Sequence, residues 1–208
     1  MARDRSPIVK QSRREGYALH PKAHKIMARK SGIPGQHAHG RQGKPSLYLT
    51  QLREKQKVRR TYGLLEKQFA RLMKEADRAS AHGVLPGELL LQLLERRLDN
   101  AVYRAGFATS RRAARQLVGH GHFMLNGRRV DIPSIRLKAG DVIEVRPKSA
   151  KSVYFAQIKD VIANSTQVPV SWMKADEKKI TITVTGNPKR EEAEVDINEQ
   201  LIVEYYSR

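Results

Sequence analysis

Apolar residues in the middle of the chain recur first with a helical period and then with an alternating one. Leu65, Phe69, Leu72, Met73 and Ala76 stand at i, i+4, i+7, i+8 and i+11, the single stripe of an amphipathic helix. A second stripe, Leu90, Leu93, Leu94, Leu98, Ala101 and Val102, runs on to Gly106, a residue suited to closing a helix. Both stripes read as core, and two or three antiparallel helices here make a small helical domain. The segment "SLYLTQLREKQKVRRTYG" before them also favours helix, but after Leu52 charge occupies nearly its whole circumference, leaving Val58 and Tyr62 as weak anchors and Gly63 as a left-handed cap. A helix polar all round needs a partner, and here the expected partner is negative.

After Gly106 the pattern changes. Thr109 or Ser110 can cap a helix that starts at Arg111, and Gly119 can end it. "HFML" and "RRVDI" then flank Asn126-Gly127, the strongest short hairpin signal, and a strand "DVIEV" follows the turn "KAGD". Downstream, "SVYFAQIKDVIAN" reads as one helix through Phe155, Ile158, Val161 and Ile162, "PVSWM" as a short strand, and "KKITITVTG" as a strand with Ile180, Ile182 and Val184 inward. "DINEQLIVEYYSR" carries Asp196 and Glu199 at capping-box spacing. A C-terminal helix follows, and its apolar run is expected to pack on the helical domain. The mixture predicts an α+β fold.

Charge narrows the functional classes. The chain of 208 residues carries a formal charge of +19 and a pI near 10.4, the balance of a nucleic-acid-binding protein. From Met1 to Tyr62 sixteen Lys or Arg face only Asp4, Glu15 and Glu54. That stretch has too few apolar residues for a core of its own, so residues 1–45 read as a basic arm with short helical pieces, ordered against a polyanion. The absence of cysteine excludes disulfides and thiolate metal sites. His20/His24 and His37/His39 lack the carboxylate or thiolate spacing of a metal site, so no metal and no cofactor is expected. No window is long and apolar enough for a spanning helix and the N-terminus lacks an apolar leader core, so a cytoplasmic protein is expected, without a membrane partner.

The candidate chemistry is cationic. Arg111 and Arg112 fall in the first turn of their helix, where cations oppose the macrodipole at roughly 0.3–1 kcal/mol each. A bound anion would offset that, because a helix N-terminus already offers free N–H groups. Arg115 lies on the same outward side, the hairpin is expected to set Arg128 and Arg129 beside the helix N-terminus, and Arg97 and Arg104 lie off the apolar stripe. Helix plus hairpin would then read an RNA fold by phosphates and shape. "RRLDN" at Arg96–Asn100 is similar to the sequence around the catalytic aspartate of pseudouridine synthases, but the chain lacks the length for that catalytic domain. The plain reading of Asp99 is a helix-surface ion pair. No catalytic triad, Walker loop or dinucleotide fingerprint is present, and 6% aromatic content argues against recognition by base stacking.

Long ordered stretches carry a family resemblance. "SRREG" (Ser12–Gly16), "PGQH" (Pro34–His37), "QLREKQKVRRTYG" (Gln51–Gly63), the run from Leu93 to Ser134, and "DINEQLIVEYYSR" resemble the S-four family of bacterial small-subunit ribosomal proteins. The resemblance covers nearly the whole chain. It implies a basic arm (1–45), a helical domain (46–95, joined by a C-terminal helix 196–208) and an inserted antiparallel-sheet domain (96–195) with a helix-hairpin RNA-binding module, the alpha-L motif, at about 97–158. It further implies a non-enzymatic, primary assembly protein bound at the 5′-domain junction of small-subunit rRNA, with Arg13, Arg14, Lys55, Lys57, Arg59 and Arg60, and Arg111, Arg112 and Arg115 of the module, touching rRNA. Ribosomal protein S-five as neighbour, an influence on translational accuracy, and incoming mRNA near Arg41 and Lys44 belong to the same implication. Many family members bind zinc through four arm cysteines, which this chain lacks. Other bearers of the module, an RNA-modifying enzyme or a stress factor, are the alternatives.

Overall fold

The computed structural model describes residues 4–30, 32–40, 43–80, 83–163, 170–176, 179–194 and 196–207. In chain order the helices are α1 (Ile8–Glu15), α2 (Pro21–Arg29), α3 (Leu47–Thr61), α4 (Glu66–Ala79), α5 (Pro86–Glu95), α6 (Leu98–Arg104) and α7 (Arg111–Gly119). Strands β1 (Phe123–Leu125), β2 (Arg128–Val130) and β3 (Val142–Val145) follow, then short helices α8 (Pro147–Ala150), α9 (Val153–Ala156) and α10 (Ile158–Ala163). Strands β4 (Met173–Asp176) and β5 (Thr181–Val184) precede the last helix, α11 (Glu199–Tyr206). The fold is α+β. It comprises two compact units, Met1–Leu90 with Asp196–Arg208, and Leu91–Val195.

In the first unit α3 starts where Ser46 Oγ accepts the Leu49 N–H at 3.2 Å. It ends at Gly63, whose φ of 65° lets the Leu64 N–H reach the Arg59 carbonyl at 2.9 Å. Part of its polar surface is met within the chain: α11 packs along it, Gln51 Nε2 donates to Glu204 at 2.8 Å, and Val58 is fully buried. The negative partner expected of α3 is therefore, in part, Glu204 and Glu66 of this same chain. The stripe on α4 is core as expected, with Phe69, Met73 and Ala76 buried. Helix α11 packs where the sequence places it but starts later than the Asp196 spacing suggests. Asn198 is its cap, with Oδ1 accepting the Leu201 N–H, because Glu54 holds the Asn198 N–H at 2.9 Å and the Asp196 carbonyl accepts from Lys57 Nζ.

The second unit is a five-stranded antiparallel sheet of order β2-β1-β3-β5-β4. Leu125 is registered with Arg128 on β2 and with Ile143 on β3, and Ile143 with Ile182 on β5. This face packs with α6, α7 and the aromatic Phe155 into one core. The second apolar stripe does not form one helix: it breaks at Arg96–Arg97, where Leu98 N donates to Ile135 O at 2.9 Å and Leu137 N to Arg96 O at 2.8 Å. Pairing with a segment forty residues downstream stops the helix, and a periodicity argument has no access to such pairing. The helix expected over 152–164 is likewise divided, at Gln157, into α9 and α10. The strand expected at "PVSWM" begins only at Met173, and the Trp172 carbonyl before it accepts from both Thr185 and Gly186. Val161, in its side chain, and Pro169 lie outside the described residues.

Candidate nucleic-acid interface

Ser110 is the cap of α7, its Oγ accepting the Ala113 N–H at 3.2 Å. Arg111 and Arg112 then occupy the first turn, as the sequence implies, but the structure separates their roles. Arg111 donates to Glu194 at 2.7 Å and to Asn100 Oδ1 at 2.9 Å, and stacks over the Tyr103 ring at 4.6 Å. An internal carboxylate 83 positions away thus supplies the anion that the helix dipole calls for at Arg111. Arg112 is exposed.

A connected polar cluster lies beneath this helix end. Glu95, 1% exposed, accepts from Arg104 at 2.9 Å and from Asn100 at 2.7 Å, and Arg104 also stands 3.6 Å from Glu194. Arg97 grips Asp99 with Nε at 3.0 Å and Nη2 at 2.7 Å, a two-point pair with both side chains buried. Asp99 is ion-paired as expected, but inside the unit rather than on a helix surface, and Arg115 approaches it at 3.9 Å.

The hairpin turns through Asn126 and Gly127, with φ of 49° and 77°, the left-handed pair of a type I′ turn. Asn126 also ties the tip to β3: its Oδ1 accepts the Val142 N–H at 2.8 Å and its Nδ2 donates to Asp141 at 2.8 Å. Arg128 and Arg129 follow on β2, both exposed, with their side chains on opposite faces of the strand. Arg129 does not lie beside the start of α7. A Cβ placed on Gly121 would stand 2.7 Å from its Nε, so the guanidinium covers the turn just past the end of α7. There the carbonyl end of the helix favours a cation, and Gly121, not Gly119, is the left-handed residue, with φ of 70°.

In the first unit the candidates divide the same way. Arg14 is exposed, and Arg13, Lys57, Arg59 and Arg60 are half-buried. Lys55 is 3% exposed, donates to Glu66 at 2.8 Å and lies over the Tyr205 ring at 4.7 Å. Arg53 donates to Glu15 at 3.2 Å, and Arg60 contacts the same oxygen. Burial pushes the Glu15 carboxyl up, more than the cations Arg53 and Arg60 bring it down. Glu66 goes the other way: burial would raise it, but hydrogen bonds from Lys55 and Tyr206 and the cations Lys55 and Arg59 hold it below the usual range. His20, one of the histidines considered for a metal, caps α2 through Nδ1, which accepts the Lys22 N–H at 3.1 Å. Lys44 is exposed, whereas Arg41 and the rings of His37 and His39 lie outside the described residues. Among the described residues no helix is long and apolar enough to cross a membrane.

A capped, arginine-led helix followed by a hairpin with a cationic tip, on one face of an antiparallel sheet, defines the alpha-L class of RNA-binding module. Comparison with known proteins agrees. Residues 3–95 match the family described as Ribosomal protein S4/S9 N-terminal domain, and residues 96–143 match the S4 domain. The chain is 48% identical over 214 residues to the small ribosomal subunit protein uS4 of Syntrophomonas wolfei. It is 49% identical over 210 residues to that of Chloroflexus aurantiacus, and 47% over 214 residues to that of Clostridioides difficile. All of this chain and all of each relative are covered. The chain belongs to the uS4 family of small-ribosomal-subunit proteins.

The sequence reading missed Glu194 and Asn126 as positioning residues. Glu194 carries no local signal, since its partners Arg104 and Arg111 lie far back in the chain. Asn126 was legible as a turn residue, but its tether to Asp141 depends on how β3 returns.

Proposed function

We propose that this protein is a structural, non-catalytic constituent of the small ribosomal subunit that binds small-subunit rRNA directly, at the 5′-domain junction and early in assembly. The single observation that carries the reading is end-to-end similarity to relatives named as small ribosomal subunit protein uS4, joined to an exposed cationic set, Arg112, Arg128 and Arg129, on the module. Phosphates rather than base edges are the natural targets, because the presented groups are guanidinium and ammonium ions with few aromatic rings among them. Arg14 and Arg13 serve the same purpose from the first unit, with a smaller share from Arg59 and Arg60, which are mostly buried and paired with Glu66 and Glu15. Arg97, Arg104 and Lys55 contribute chiefly by holding the scaffold. Contact with protein S-five, an effect on translational accuracy, and approach of mRNA to the Arg41–Lys44 segment are part of the same proposal. The modifying-enzyme and stress-factor alternatives have no counterpart among the relatives described above.

Co-sedimentation with protein-free rRNA tests the assignment. Small-subunit rRNA should retain the chain at a salt concentration that strips it from large-subunit rRNA. Equal retention on both would overturn it.

A further inference from the structure

The solvent face of α4 bears a row of cations that the reading above does not use. Lys67, Arg71, Lys74 and Arg78 stand at i, i+4, i+7 and i+11, and all four are exposed. At about 100° per residue these positions fall within an arc of roughly 60°. The buried positions Phe69, Leu72, Met73 and Ala76 occupy the opposite side of the same helix. Along the axis the row spans about 16 Å, with a cation every ~5.5 Å at 1.5 Å per residue. Among the described residues none of the four takes part in an ion pair. This differs from α3, where Lys55 and Arg60 are matched by Glu66 and Glu15.

We infer that this row is a second phosphate-binding face of the protein, which tracks one RNA backbone strand alongside α4. The inference rests on the rRNA-binding reading above. An acidic protein surface is the poorer fit, because a protein interface needs an apolar or aromatic centre, and the buried stripe of α4 leaves no large apolar side chain on its solvent side. Single-file unpaired cations without aromatic neighbours suit a charged backbone read without sequence.

Two experiments on the full chain test the inference. In the first, the fourfold variant Lys67→Gln, Arg71→Gln, Lys74→Gln, Arg78→Gln is compared with a charge-matched control, Lys138→Gln, Lys174→Gln, Lys179→Gln, Lys189→Gln, for binding to small-subunit 5′-domain RNA over a salt series. All eight positions are exposed. Losing four phosphate contacts should flatten the log–log salt slope by about 3 and weaken binding about tenfold or more, with the control much closer to the unsubstituted chain. In the second, Lys74→Cys supplies the only thiol of a cysteine-free chain, to which an iron-chelate probe is attached. Hydroxyl-radical cleavage should then map to one continuous strand segment.

Equal slopes for variant and control, or no localised cleavage, overturn the inference and leave α4 with a solvated face. Unchanged RNA binding with impaired incorporation into assembled subunits overturns it in favour of an acidic protein partner. If the unsubstituted chain itself fails to distinguish small-subunit RNA, the assembly reading fails and the row's role falls with it. A selective unsubstituted chain with an unaffected fourfold variant sinks only the row.

Discussion

The guanidinium of Arg111 lies 2.7 Å from the carboxylate of Glu194, so the first cation of α7 is neutralised from within the chain. Its neighbour Arg112 remains exposed. The two adjacent arginines therefore have different expected phenotypes. Glu194→Gln removes the carboxylate paired with Arg111 and the more distant of the two that face Arg104, which keeps Glu95 at 2.9 Å; both arginines are mostly buried. It should destabilise the fold by about 1–3 kcal/mol in denaturant titrations. Arg112→Gln, at an exposed position, should cost less stability than Glu194→Gln while weakening rRNA binding.

Arg97 provides the contrast. Both partners of the Arg97–Asp99 pair are 7% exposed, and replacing Arg97 by Gln leaves a buried carboxylate with only the more distant Arg115. A loss of about 3 kcal/mol in unfolding free energy is expected. Refilling the site together with Asp99→Asn should recover part of it. If Arg97→Gln instead affected RNA affinity with unchanged stability, the residue would be a contact and not a strut.

Two neighbouring glycines separate conformational need from packing. Gly121 has φ of 70° and holds Arg129 against its Cα, so Gly121→Ala should cost about 1 kcal/mol from backbone strain and displace Arg129, lowering RNA affinity as well. Gly119 is the last residue of α7 and has nothing within 4 Å of a would-be Cβ. Gly119→Ala should be neutral or stabilise by up to about 1 kcal/mol. Thermal unfolding of the two variants side by side decides this.

Acid titration should resolve Glu15 from Glu66 by sign. The Glu15 carboxyl is raised above its ordinary 4.5 by burial. Its protonated form is favoured in the fold, so its contribution is fully present below about pH 4.5 and is lost as pH rises through the higher folded value. Glu66 is lowered below 4.5 by Lys55 and Tyr206. Its contribution is present above about pH 4.5 and is lost as pH falls through the lower folded value. Relative to the unsubstituted chain, Glu15→Gln should remove a component of stability that rises on acidification toward pH 4.5. Glu66→Gln should remove one that falls below it. Stability curves between about pH 3 and 7 check both signs.

Much of this organisation was legible because it is local. The α4 stripe, the Ser110 cap, the Gly63 terminator and the Asn126-Gly127 turn each depend on residues a few positions apart, where periodicity and turn chemistry operate. The break at Arg96–Arg97, the seat of Arg129 and the pairing of Arg111 with Glu194 depend on contacts across 37 to 83 positions or on the path of a loop. Charge counting placed Arg97, Lys55 and Arg112 in one class of candidates. Burial sorts them into two supports and one presented group, since a cation's role is set by the carboxylate it meets and sequence spacing does not name that carboxylate.

The central claim is that the chain recognises one RNA junction through its phosphates. The most direct measurement is its binding to isolated 5′-domain junction RNA across a salt series, with an unrelated structured RNA of equal length as competitor. With about eight phosphates neutralised, log K should fall with log salt at a slope near −7, at ~0.9 per contact, and binding should survive the competitor. A slope between zero and about −2, or equal affinity for both RNAs, would contradict the account.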